Sequence, residues 1–353
     1  MNVLFLTRYD RLGASSRLRS YQYFPFLREA GFGVTVAPLF GDDYVRGLYR
    51  GNISTMTVVK AYIDRLRFML KARQYDLVFL EYEMLPWLPD WIEFNLWPEG
   101  LPVVVDYDDA IFHRYDQHSL AFVRRVLGDK IDRVMRRAAL VIVGNDYLGE
   151  HARLAGAQRI ASLPTVADGT RYAVMEKSED SPLTIGWIGS PTTARYLRLV
   201  APVLRAMIAS HCVRVVAVGA KASQLKDLPI ETRPWSEETE AAEIQQFDIG
   251  IMPLPDDLWE RGKCGYKLIQ YMASGKPVVA SPVGANSVIV RHGVNGFLAN
   301  AEPEWCSALS CLCEDAALRK RMGDEGRRRM EQDYYVQVAA PRFVSLLRSV
   351  VNK

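Results

Sequence analysis

Short apolar runs recur along the whole chain, each followed by a longer stretch in which apolar positions return every three or four residues. The short runs read as strands buried on both faces and the longer stretches as helices that cover them. "NVLFLT" opens the series as a strand. "SSRLRSYQYFPFLREAG" predicts a helix that closes on Gly31, and "GVTVAPL" the next strand. "YDLVFLE", "PVVVDYD" and "LVIVGN" follow as strands with helices between them. The second half repeats the alternation: "LTIGWIGS", "VRVVAVG", "FDIGIMPL", "GKPVVAS" and "GFLA" are strands, and "TARYLRLVAPVLRAMIA" is a helix. Strand and helix in regular alternation predict an α/β protein built on parallel sheets.

The apolar period fails near Ala167–Pro182, where "ADGTRYAVMEKSEDSP" turns polar. That break predicts two Rossmann-like domains, residues 1–170 and 181–335, and a terminal amphipathic helix, 336–353, that packs back on the first. Two such halves imply a cleft at the carboxyl ends of their strands, where folds of this kind bind ligands. A length of 353 residues suits two cores better than one. A net charge of +3 is too small for a general nucleic-acid binder. The start, "MNVLFLTRYD", reads as a buried strand and not as a signal peptide, and no apolar run is long enough to span a bilayer. The five cysteines lack metal spacing and argue against a disulfide framework; Cys311 and Cys313 fall in a helical stretch, where packing is their reading. A cytoplasmic protein is the expectation.

The chemistry concentrates in "RGKCGYKLIQYMASGKPVVASPVG", Arg261 to Gly284. Gly275 suits a helix stop, which puts the helix start near Gly265. Free N–H groups and the positive dipole end would then face outward beside Lys263, Cys264 and Gly265, a favourable place for an anion. If Lys263 is already helical, Lys263, Lys267 and Gln270 share one face, and Leu268, Ile269 and Met272 share the core face. The plainer reading of two lysines on a helix is a solvated edge.

"YKLIQYMASGKPVVASPVGANSVIVRHGVNGFLA" resembles the donor-site segment of the family 4 retaining glycosyltransferases, which have the GT-B fold. "LREAGFGVTV", "VIVGN" and "DIGIMPL" resemble further passages of that family. The resemblance implies two Rossmann-like domains facing each other across a central cleft. It also implies a hexosyltransferase-type enzyme that uses a nucleotide diphosphate sugar as donor substrate, with no separate cofactor and no metal. With this resemblance in view, the candidate donor-binding positions are Gly13, Arg17, Gly189, Ser190, Arg195, Trp235, Lys263, Cys264, Gly265, Tyr266, Lys267, Gln270 and Gly284.

Several positions depart from the family pattern. The family glutamates that flank this helix start are replaced by Gly262 and Gln270, with Glu260 displaced from the first. Gln270 keeps hydrogen-bonding capacity for a ribose hydroxyl without the charge. Where the family carries Arg and Lys after the first strand of the second domain, Ser190 stands at one position and Arg195 near the other. Lys263 and Lys267 are the expected replacements for the missing positive charge.

In the first domain "PVVVDYDDAIFH" places Asp108 and Asp109 where the resemblance implies a His-Asp pair, with Asp106 and His113 close by. Asp108 and Asp109, with Lys263 and Lys267, are the candidate catalytic residues; Asp106, Asp108 and His113 are the acceptor-side candidates. Caps and turns are the alternative reading for the carboxylates. In "RLGASSRLRS", Gly13 and Ser15 would allow close approach to donor phosphates and Arg17 would bring charge, while Ser15 or Ser16 as helix N-cap is the plainer reading. Trp235 is suited to stacking on a base or to packing. The basic helices "VVKAYIDRLRFMLKARQ" and "AFVRRVLGDKIDRVMRRAA" are suited to covering a sheet or to resting on the inner face of an anionic membrane. The expected function is transfer of a sugar to a hydroxyl of a glycan or lipid-linked glycan, in surface polysaccharide biosynthesis. The rival is a catalytically inactive sugar-nucleotide-binding partner in a polysaccharide assembly complex.

Overall fold

A computed structural model of the chain describes residues 1–174, 181–211 and 213–351. Part of the polar join, residues 175–180, and Cys212 therefore lie outside the described residues. The chain forms two compact units. The first comprises Met1–Thr165, Arg261–Cys264 and the segment from Ala339 onward, and the second comprises Val166–Glu260 and Gly265–Val338.

The first unit is built on six parallel strands: β1 (Asn2–Leu6), β2 (Gly33–Val36), β3 (Leu77–Glu81), β4 (Val103–Tyr107), β5 (Leu140–Val143) and β6 (Ile160–Ser162). Their order is β2-β1-β3-β4-β5-β6. β3, β4 and β5 are buried along their whole length, as strands covered on both faces must be. The order reverses between β1 and β3, and a crevice at such a reversal is where ligands bind in open parallel sheets.

The stretch after β1 is not one helix. It divides into Ala14–Arg19, a 3₁₀ turn at Tyr21–Tyr23, and Phe24–Glu29, with Pro25 at the start of the last piece, a position that proline favours. Past β3, buried Lys130 places its Nζ 2.8 Å from Glu83 Oε2 and 2.7 Å from Glu93 Oε1. From Ala339 on, the terminal helix Val336–Val351 belongs to this unit, and Phe343 packs against Tyr23 and Phe79 with ring centroids 4.6 and 5.5 Å away.

The second unit repeats the plan with β7 (Thr184–Ile188), β8 (Arg214–Val218), β9 (Glu231–Arg233), β10 (Ile249–Met252), β11 (Val278–Ala280) and β12 (Gly296–Leu298). The order is β12-β11-β10-β7-β8-β9, so the reversal falls between β7 and β10. One core cluster, with Phe247, Leu268, Ile269 and Tyr271, and another, with Trp187, Leu204, Trp305 and Leu309, are built from buried residues of this unit. The stretch after β7 begins as a 3₁₀ turn, Ala194–Val200, and becomes α-helical only at Ala201. Among the described residues, no helix is long and apolar enough to cross a membrane.

Candidate functional site

The carboxyl ends of β1, β3 and β4 gather the ionisable groups of the first unit. Asp106 ends inside the sheet, where both its oxygens meet Arg19: Nε donates to Oδ2 at 2.9 Å and Nη2 to Oδ1 at 2.5 Å. Arg19 Nη1 also donates to the Leu163 carbonyl at 2.7 Å. Burial pushes the Asp106 carboxyl up, and Arg19 pulls it back. Glu81, at the end of β3, accepts from Ser16 Oγ at 2.7 Å and from the Arg8 backbone N–H at 3.0 Å. Burial raises the Glu81 carboxyl to about 8. Ser16 is therefore not a helix cap: the N-cap is Gly13, without a side-chain bond, and Ser16 also accepts from the Tyr9 N–H. Arg17 is buried and donates to the Arg11 carbonyl at 3.3 Å.

Directly after β3, Tyr82 adopts φ 64°, a left-handed backbone that a bulky residue seldom takes. The Tyr107 hydroxyl donates to its carbonyl at 2.8 Å, and the Tyr82 hydroxyl donates to Asp108 Oδ1. A strained backbone at a strand end is a feature of working sites. Asp109 has one oxygen 3.7 Å from Lys263 Nζ and the other buried without a hydrogen-bond partner. Burial raises its carboxyl, Lys263 lowers it, and Asp108 raises it further. His113 begins a short helix and is largely enclosed, with Nδ1 2.9 Å from Asp116 and Nε2 2.7 Å from the Tyr147 hydroxyl.

Arg261–Cys264 is held in this unit by Asn145, whose Nδ2 donates to the carbonyls of Arg261 and Lys263 at 3.2 and 3.1 Å. Cys264 Sγ donates to the Asp108 carbonyl at 3.1 Å, and burial pushes its thiol up. Gly262 is pressed against Ala110: a Cβ there would lie 2.6 Å from the Ala110 backbone nitrogen.

In the second unit the helix Tyr266–Ala273 starts after Gly265, whose φ of 67° suits glycine. Lys263 is therefore outside the helix, and the shared face expected for Lys263, Lys267 and Gln270 does not form. Gln270 lies among the buried residues with Leu268, Ile269 and Met272, and its Nε2 donates to the Tyr172 hydroxyl at 3.0 Å. Gly275, with φ 68°, follows the helix end.

Lys267 Nζ lies 5.5 Å over the Trp187 ring, and its Cε would be 2.8 Å from a Cβ on Gly189. Gly189 and Ser190 follow β7, and Ser190 Oγ pairs with Thr192 Oγ1 at 2.7 Å. The Arg195 side chain is 70 % exposed, 3.9 Å from Glu260. Glu260 itself is buried and accepts from the Tyr196 hydroxyl. Gly284 closes the turn after β11 with φ 53°. Thus Gly189, Lys267 and Trp187 come together at the end of β7, whereas Arg195 keeps to Tyr196 and Glu260.

A second cluster gathers around Glu240. Trp235 Nε1 donates to Glu240 Oε2 at 3.0 Å, and the Tyr172 hydroxyl donates to Oε1 at 3.2 Å. Arg171 Nη2 is 3.1 Å from the same oxygen, and the Tyr266 hydroxyl is 3.4 Å from that of Tyr172. Burial and the Glu240 charge raise the Tyr172 phenol. Sequence reasoning did not single out Arg19, Glu81, Tyr82, Asn145, Tyr172 or Glu240. A glutamate ending the otherwise apolar "YDLVFLE" was the one local signal among them.

Residues 182–315 match the family described as "Glycosyl transferases group 1". No curated protein matches the chain in sequence. Among solved structures, HepE of Anabaena in complex with UDP-glucose is similar at 16 % identity and TM-score 0.71, over 99 % of this chain and 100 % of that one. Sucrose-phosphate synthase from Thermosynechococcus elongatus is similar at 15 % identity and TM-score 0.70, over 100 % and 99 %. WaaG, a glycosyltransferase involved in lipopolysaccharide biosynthesis, is similar at 12 % identity and TM-score 0.71, over 98 % and 99 %. At such identities the likeness is one of fold, and the fold is GT-B. Apart from Arg261–Cys264, the matched residues lie in the second unit, which is thus the part of the chain similar to the group 1 glycosyltransferases.

Proposed function

We propose that the protein transfers a sugar from a nucleotide diphosphate sugar to a hydroxyl of a glycan or lipid-linked glycan, with retention at the anomeric carbon and without a metal. The observation that carries this reading is the position of Lys267 within the matched domain. It stands in the first turn of a helix whose N-cap makes no side-chain bond, against Gly189 at the end of β7. Uncapped N–H groups, the helix dipole and a lysine together favour a diphosphate, most strongly as charge develops on it during bond cleavage. HepE, similar in fold, is recorded with UDP-glucose, which supports a nucleotide-sugar donor. WaaG supports a setting in surface polysaccharide synthesis.

Asp108, fixed by Tyr82, and Asp109, beside Lys263, are the candidates for orienting the sugar or acceptor hydroxyl. The helix Thr55–Leu70 exposes Met56, Val59, Ile63 and Leu70 along one stripe, with Lys60, Arg67 and Lys71 also exposed. An apolar stripe among cations suits the cytoplasmic face of an anionic membrane, where a lipid-linked acceptor would be met.

One observation favours a second reading, a sugar-nucleotide-binding partner without transferase activity. Gly262 leaves no room for the glutamate of the family pattern, and Glu260 is turned inward on Tyr196. Product analysis separates the two. The protein is incubated with nucleotide sugars, with and without membrane extract as acceptor source, and the nucleotide and sugar products are followed. Release of nucleoside diphosphate matched by a glycosylated product supports transfer. Tight donor binding without product supports the partner reading.

A further inference from the structure

Glu240 is buried, lies outside the strand ends, pairs with Arg171 Nη2 at 3.1 Å, and accepts bonds from two aromatic side chains of the second unit. A carboxylate has no proton to give, so it only accepts. The single hydroxyl proton of Tyr172 is therefore spent on Glu240 Oε1, and the Tyr172 oxygen is left to accept. That settles the orientation of Gln270: its NH₂ group must face Tyr172, 3.0 Å away, and its carbonyl oxygen is the end left for another partner. The same carboxylate holds the Trp235 indole through Nε1.

We propose that Glu240 is a positioning residue for the nucleoside end of the donor site. It fixes the Trp235 ring for the base and, through Tyr172, makes Gln270 a hydrogen-bond acceptor for a ribose hydroxyl. Gln270 stands where the family pattern has a carboxylate. The relay from Glu240 gives the amide the acceptor polarity of that carboxylate without placing a charge there. This inference rests on the donor reading of the same domain.

Ribose discrimination tests it. Dissociation constants of UDP, GDP, ADP and CDP are measured by calorimetry on the full chain, and the tightest binder is compared with its 2′-deoxy and 3′-deoxy forms. The wild type should prefer the ribonucleotide to at least one deoxy form by about tenfold or more, the effect of leaving a polar group unpaired. Tyr172→Phe, which removes only the hydroxyl, and Glu240→Gln should each bring that preference to within about threefold. Affinity for inorganic pyrophosphate should not change in either variant. Tyr172→Phe keeps the buried ring, so it remains informative if Glu240→Gln fails to fold. Binding with undiminished ribose preference in Tyr172→Phe overturns the relay and leaves the donor reading intact. No binding of any of the four nucleotides by the wild type overturns the donor reading and the relay with it.

Discussion

Arg19 and Asp106 meet side-on, two nitrogens against two oxygens, in the interior of the first unit. Their side chains are 1 % and 2 % exposed, so neither charge is shared with water. Such a pair is worth little against an apolar alternative, but removing one partner strands the other. Asp106→Asn is expected to destabilise the protein by about 3–5 kcal/mol. Denaturant unfolding of variant and wild type reads the difference; a change below about 1 kcal/mol contradicts a buried pair.

Glu81 makes stability depend on pH. Its carboxyl rises from 4.5 to about 8 on folding, so the folded chain keeps a proton that the unfolded chain releases. That contribution is complete below pH 4.5 and is lost as pH climbs toward 8. Relative to Glu81→Gln, the wild type should lose about 1.4 kcal/mol per pH unit across this window. Paired urea titrations at pH 5 and pH 7 give the comparison, and parallel curves would mean that Glu81 is ionised throughout.

The two lysines are expected to act on the diphosphate. Lys267→Ala and Lys263→Ala should weaken binding of a nucleoside diphosphate by about tenfold or more, while the parent nucleoside changes by less than about twofold. Equal loss of both ligands would remove the lysines from the phosphate site. Thermal shift offers a quick first screen, since a ligand at 100 times its dissociation constant stabilises the folded state by about 2.7 kcal/mol.

Gly262 is held to its neighbour by contact with backbone. Gly262→Ala brings a Cβ to 2.6 Å from the Ala110 nitrogen, which cannot swing away as a side-chain end can. A loss of about 1–3 kcal/mol is expected, seen as a lowered melting temperature. An unchanged melting temperature would show that the Arg261–Cys264 segment yields easily, and would reopen this position to the glutamate of the family pattern.

The central strands were legible because their apolar runs are unbroken: "NVLFLT", "VVV" and "LVIV" are buried nearly throughout. The edge strands β6 and β9 were not, because three residues with polar members carry too little pattern. The helix start near Gly265 was legible from Gly275, but whether Lys263 joins the helix depends on backbone geometry: the left-handed turn at Gly265 leaves it outside. Pairing between distant residues leaves no local trace at all. Arg19 and Asp106 stand 87 residues apart, and Tyr172 and Gln270 98 apart. The carboxylates at the end of β4 were found by position and Glu81 at the end of β3 was not, while the partners that determine their state had to be seen in space.

The place of Phe343 in the first unit bears on synthesis. Its ring rests on Tyr23 and Phe79, yet it is made only after every residue of the second unit. While the ribosome works through the later half, the surface that Phe343 will cover stays open to solvent and to other chains. The first unit is thus begun first and finished last, and a release of the chain before residue 343 would leave an adhesive intermediate where truncation of an ordinary terminal helix would cost only some stability.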